Sequence, residues 1–113
     1  MHEMALAEAV VRIVTDKARS AGAERIVRVR LEIGALAHVE PAALSFAFEA
    51  VTPGSPAAGA ALEIDRAPGR ARCDTCASTV EIDRLGEACP VCGGVGLRVL
   101  SGDELRVKDM EVG

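Results

Sequence analysis

The chain has 113 residues, half of them hydrophobic, with 17 acidic against 13 basic side chains and a formal net charge of -4. That length allows one domain, or one domain carrying a small module. The acidic balance and the presence of only two aromatics, Phe46 and Phe48, argue against nucleic acid, which needs a basic face or stacking platforms. No apolar run approaches the roughly 20 residues of a membrane span.

The chain begins Met1-His2-Glu3. An α-amine, the backbone nitrogen of His2, its imidazole and the Glu3 carboxylate stand within three residues. Nickel(II) and copper(II) favour such tetragonal nitrogen and oxygen sets. The bulk of His2 disfavours removal of Met1, so the amine is expected to be that of Met1. The alternative is a chance histidine at an ordinary start. The segment lacks a basic n-region, so it is not read as a signal peptide, and the expected compartment is the cytoplasm.

Leu6, Ala9, Val10, Ile13 and Val14 recur at helical spacing, and residues 4–20 read as an amphipathic helix. Glu3 then suits the positive end of the helix dipole, a role that stands beside metal contact as its alternative. Residues 25–33 alternate as a half-buried strand, with Val27, Val29, Leu31 and Ile33 on one side, ended by Gly34. Pro41 opens a second helix, with Leu44, Ala47, Phe48 and Val51 on one face. Glu40 is read as its cap. His38, in the loop before it, is read as solvated, with an auxiliary ligand role as the alternative. After a Pro/Gly/Ser/Ala loop at 52–59, residues 61–66 form a short strand. Leu97–Leu100 and Leu105–Val112 read as two strands turned at Ser101-Gly102-Asp103.

Between these strands lies the strongest signal in the chain. Cys73-Asp74-Thr75-Cys76 and Cys89-Pro90-Val91-Cys92 are two CxxC pairs separated by twelve residues. In a reducing compartment such thiols are metal ligands rather than disulfides. Each pair wraps one side of an ion, and together they form a closed tetrathiolate, a structural zinc site. Iron in a rubredoxin-like site is the main metal alternative. Gly93 gives the second knuckle the backbone freedom it needs.

The expected fold is α+β: two helices packed on a small mixed sheet of about three strands, with an inserted zinc-ribbon module. Residues 1–68 and 97–113 would form an α/β domain carrying the N-terminal nitrogen and oxygen set, and residues 69–96 the ribbon, with a hinge near Ala67-Pro68-Gly69. No phosphate loop, G-x-S-x-G motif or catalytic Cys–His pair stands outside the metal set, so an enzyme is not expected.

Met1-His2-Glu3 opening a helix, the CxxC–CPxCG ribbon and the closing Gly102-Asp103-Glu104-Leu105-Arg106-Val107-Lys108 together resemble the HypA/HybF family, nickel chaperones for [NiFe] hydrogenase maturation. Leu31-Glu32-Ile33-Gly34 and the Pro41–Phe48 segment are similar to the family's second strand and helix. The resemblance covers essentially the whole chain. It implies nickel on His2, with the Met1 amine, the His2 backbone nitrogen and Glu3 as further contacts. It also implies zinc on Cys73, Cys76, Cys89 and Cys92. The implied partners are a HypB-type GTPase, the hydrogenase large subunit and, in some species, urease maturation proteins. Some members carry histidines in or near the ribbon, and this chain has none there. Monomer and homodimer both stay open. The competing reading is a zinc-ribbon protein-binding adaptor without transferable metal.

Overall fold

A computed structural model describes residues 2–113. The elements run α1 (His2–Ser20), β1 (Ile26–Gly34), α2 (Pro41–Val51), β2 (Ala61–Ala67), β3 (Gly69–Cys73), β4 (Thr79–Ile82), β5 (Leu97–Ser101) and β6 (Leu105–Val112). Two three-stranded sheets result, ordered β2-β1-β6 and β4-β3-β5. The α+β architecture expected from the sequence is present, with a second small sheet that the sequence reading did not foresee.

Helix α1 begins at His2, earlier than the hydrophobic period alone suggests. Its buried stripe is Ala7, Val10, Val14, Thr15 and Ala18, turned slightly from the predicted one, and Ile13 is left exposed. The stripe is rich in small residues, which let helices approach closely, and α1 packs along α2. The helix closes with Ala23 N–H donating to the Ala18 carbonyl (2.8 Å) and Gly22 N–H to Arg19 (3.0 Å), a Schellman pair that satisfies orphaned carbonyls.

Strand β1 buries Val29, Leu31 and Ile33, as alternation predicts. Val27 departs from the pattern: it is exposed, and Ile26 is buried instead. Ile26 N–H donates to the Pro56 carbonyl at 2.9 Å, tying the strand's start to the loop after α2. Glu40 caps α2 as expected, its Oε1 accepting from Ala42 N–H at 3.2 Å, with Pro41 in the first turn. Leu44, Ala47 and Phe48 are buried. Phe46 points away and is 74% exposed, so Phe48 is the only aromatic in the core. On the other side of β1, Arg28 pairs with Glu63 and Glu111, Arg30 with Asp109, while Lys108 pairs with Asp65. Cross-strand charge pairs of this kind fix register more than they add stability.

The predicted turn at 101–103 is not a hairpin. β5 pairs with β3 in the second sheet, whereas β6 pairs with β1 in the first. The chain changes sheets at Gly102, whose φ is +99°. The Gly102 carbonyl accepts from Leu36 N–H at 2.8 Å. A Cβ on Gly34 would lie 1.9 Å from that same carbonyl oxygen, so Gly34 has room for no side chain. A second sheet change occurs across Pro68, the single residue between β2 and β3.

Two compact units emerge. The first comprises residues up to Leu31, Val39–Asp65 and Arg106–Gly113; the second comprises Glu32–His38 and Arg66–Leu105. The second has its own small core of Leu36, Ala71, Cys73, Val80, Ile82 and Cys89, with Cys76, Leu97 and Val99 packed against it. β3 is its central strand, antiparallel to β4 through pairs such as Ala71–Val80. It is also antiparallel to β5, through Ala71–Val99 and Cys73–Leu97.

Candidate metal sites

The first cysteine pair hangs from the end of β3. Cys73 is the last residue of that strand. Its N–H donates to the Ser78 carbonyl at 2.9 Å, and the Ala77 N–H returns to the Cys73 carbonyl at 2.9 Å. The tight return places Ala77 at φ +63°. The second pair repeats the design: Cys89 N–H donates to the Gly94 carbonyl (2.7 Å), and Gly93 N–H returns to the Cys89 carbonyl (2.8 Å). Gly93 takes φ +78°. Each knuckle thus ends in a left-handed residue just after its second cysteine. Glycine was the visible signal for one. Alanine hid the other, although its position after Cys76 matches that of Gly93 after Cys92.

These turns bring all four Sγ atoms within 4.8 Å of one another. Cys73 and Cys92 are 3.6 Å apart, Cys76 and Cys89 3.7 Å. Metal–sulfur bonds of about 2.3 Å in a tetrahedron require sulfur–sulfur edges of about 3.8 Å. The cluster therefore matches a tetrahedral thiolate-bound ion. Cys76 N–H donates to Cys73 Sγ at 3.5 Å and Gly94 N–H to Cys92 Sγ at 3.4 Å, and such backbone donors steady thiolates.

The electrostatics favour a cation there. The Ser78 hydroxyl and N–H bring the Cys76 thiol down to about 6. The N–H groups of Cys76 and Thr75 lower Cys73. Cys92 moves the other way: Gly94 N–H favours its thiolate, but the neighbouring sulfurs of Cys73, Cys76 and Cys89 push it up to about 12. Four thiolates at this separation repel one another unless a divalent ion sits among them. Cys73 and Cys89 are buried and Cys92 is exposed, so the site lies at the edge of its core rather than within it.

At the other end of the sequence, His2 is exposed at the head of α1. Met1, expected to supply the amine, lies outside the described residues. Glu3 is half-buried, and its Oε2 accepts from Glu40 N–H at 3.4 Å. Its own N–H first, and that of Glu40 second, hold its carboxyl below the usual range. The helix-terminus role expected for Glu3 is thus present, with an added tie to the start of α2 that the sequence did not signal. His38 is exposed at φ +55°. Among the described residues, the four cysteines form the one group placed to hold a metal; His2, Glu3 and His38 do not make a second.

Comparison with known proteins bears on what these features do. The family model described as "Hydrogenase/urease nickel incorporation, metallochaperone, hypA" matches residues 1–112. The chain belongs to the HypA family. The hydrogenase maturation factor HypA of Paracoccus denitrificans is 55% identical over 112 residues, covering 99% of each chain. Its counterpart in Rhodobacter capsulatus is 51% identical over the same coverage. The solution structure of the nickel metallochaperone HypA from Helicobacter pylori matches the fold with a TM-score of 0.70 at 23% identity, covering 99% of this chain and 97% of that one. None of the described helices is long and apolar enough to cross a membrane.

Proposed function

We propose that this HypA-family chain is a nickel metallochaperone that binds Ni(II) at its N-terminus and delivers it for maturation of [NiFe] hydrogenase. The reading rests chiefly on the full-length family match, in a chain that carries an exposed histidine at the head of α1. His2 supplies the imidazole, with the Met1 amine, the His2 backbone nitrogen and Glu3 as further contacts. Cys73, Cys76, Cys89 and Cys92 hold zinc, which orders the ribbon and takes no part in transfer, since four protein ligands leave no open position.

The division of labour follows ligand softness and geometry. Four thiolates suit tetrahedral zinc; an amine, amide and imidazole set suits tetragonal nickel and rejects zinc. Ligands on an exposed terminus can be exchanged one at a time, which a delivery protein requires. The first unit is then the nickel-carrying part and the cysteine module the structural part. The recipient is the hydrogenase large subunit, with a HypB-type GTPase supplying the energy-dependent step and urease maturation proteins as a second outlet in some species. The protein works in the cytoplasm, as monomer or homodimer, and catalyses no reaction itself.

The test is a nickel titration of untagged protein beside His2→Ala. The wild type is expected to bind one nickel and the variant to lose it while keeping circular dichroism unchanged. Equal nickel binding by both proteins would defeat the reading.

A further inference from the structure

The two sheets arrange charge on their outer faces in opposite ways. On the first, Arg28 lies beside Glu63 and Glu111, Arg30 beside Asp109 and Lys108 beside Asp65. Unlike charges stand across its strands, the pairing that favours a sheet. On the second, β3 alternates: Gly69, Ala71 and Cys73 are buried, and Arg70 and Arg72 are exposed. Ala71 and Cys73 share a core with Val80 and Ile82 of β4, so the arginines occupy the opposite, solvent face. The register sets Thr79 of β4 against Arg72 on one side and Arg98 of β5 against it on the other. Arginine thus faces arginine across the β3–β5 ladder, where directly opposed Cβ atoms lie about 5 Å apart. Like charges at that spacing work against the pairing of the strands.

Little within the sheet offsets this. Arg70 reaches Glu81 only at 3.9 Å and Arg98 reaches Asp74 at 3.6 Å, with all four side chains more than half exposed. Exposed pairs of that kind contribute little. Arg72 has no ion or hydrogen-bond partner among the described residues. Leu100 is exposed beside them, at the irregularity that shifts the β3–β5 register. The result is an uncovered basic stripe on a chain whose net charge is -4. Guanidinium forks match carboxylates through paired hydrogen bonds. Arg70 and Arg72 are two residues apart on one strand, about 6.6 Å. An extended chain repeats its side chains at the same interval, so carboxylates at alternate positions meet both arginines at once. Nucleic acid fits less well, because the stripe carries no aromatic for stacking and the net charge repels a long polyanion.

We propose that the solvent face of the β4-β3-β5 sheet docks an extended acidic segment of a partner protein. Carboxylates at alternate positions of that segment are held by Arg70 and Arg72, with Arg98 and Leu100 beside them. The bound carboxylates neutralise the Arg72–Arg98 opposition that the free chain carries. The inference is independent of the nickel reading and needs only the folded ribbon.

The test titrates zinc-loaded, isotope-labelled protein at low salt with a short peptide bearing glutamates at alternate positions, and with its glutamine counterpart. The glutamate peptide is expected to shift amide signals along β3 and β5, the glutamine peptide to shift none, and added salt to weaken the binding. Arg72→Gln should weaken it roughly 3–10-fold, the scale of one exposed charge-assisted contact. Arg12→Gln removes the same charge from an exposed position on α1 and should leave binding unchanged. Arg72→Gln should also raise the denaturant midpoint of the ribbon, because it removes the like charge facing Arg98. If Arg72→Gln fails to retain zinc, Arg98→Gln replaces it, with the same two expectations. A lowered midpoint would make the arginine structural and overturn the proposal. So would absence of shifts at about 1 mM peptide, or equal binding by the wild type and the stripe variant. Tighter binding of a single-stranded RNA oligomer, or a dimer of the protein alone that the stripe variant dissolves, would give the face another occupant and likewise overturn it.

Discussion

The four cysteines and the N-terminal residues proposed to hold nickel are opposite kinds of site. The cysteines come from two turns locked by backbone hydrogen bonds, their sulfurs all within 4.8 Å of one another. In the N-terminal segment His2 is exposed, and the Glu3 carboxylate accepts from the Glu40 N–H. Under the proposed function, preorganisation would make the first slow to release its ion, and exposure and sequential attachment would make the second ready to hand its ion on. The proposal thus has one chain keep one metal and give another away.

The largest effect that would sharpen this contrast comes from breaking the cluster. Cys89→Ser should abolish zinc retention, measured as metal content after gel filtration, because three thiolates and a hydroxyl no longer close the tetrahedron. The α1 and α2 helical signal should persist, since their buried residues lie in the other unit. Collapse of the helices in that variant would show that the two regions are not separable.

The opposite intervention acts on the terminus. One residue added before Met1 converts the amine to an amide. It should weaken nickel binding by at least roughly 10–100-fold, the scale on which even outer-shell changes act, and leave zinc content untouched. Acid acts in the same direction, because protons compete for the amine and imidazole. A separate acid effect belongs to Glu3. Its folded carboxyl titrates below the unfolded value of 4.5, so its contribution is present above that pH and is lost as pH falls through the depressed value. The Glu40 amide signal in nuclear magnetic resonance should therefore titrate with a midpoint below that of an unperturbed glutamate.

The two knuckles provide a smaller and more local comparison. Gly93→Ala places a Cβ in the left-handed region and should destabilise the ribbon by about 1 kcal/mol. Ala77→Gly relieves the equivalent strain but frees the unfolded chain, so it should change stability by less than about 1 kcal/mol, in the stabilising direction. Denaturant midpoints of the zinc-loaded proteins read both. Equal losses in the two variants would show that the knuckles do not share one backbone design.

Sequence patterns made much of this legible. Helical spacing, Pro41 after Glu40 and the alternation of β1 are local signals, and local hydrogen bonding enforces them. The CxxC pairs were equally plain, because ligand spacing reflects the ion's geometry. What escaped depended on distant contacts. Leu97–Leu100 was recognisable as a strand, but its partner is β3 rather than β6, since the crossing of Gly34 and Gly102 redirects the chain. Leu36, just after β1, carries no mark in the sequence of its burial in one cluster with Cys73 and Cys89. Ala77 carries no mark of the left-handed turn it occupies. The Glu3–Glu40 contact joins residues 37 positions apart, which no periodicity encodes.

The central claim, one held metal and one delivered metal, is tested most directly by chelator competition. Untagged protein loaded with both ions is challenged with a soluble chelator, and nickel and zinc loss are followed in the same sample. The account predicts rapid, complete loss of nickel while the zinc remains bound. Zinc leaving first, or both ions leaving at one common rate, would contradict it.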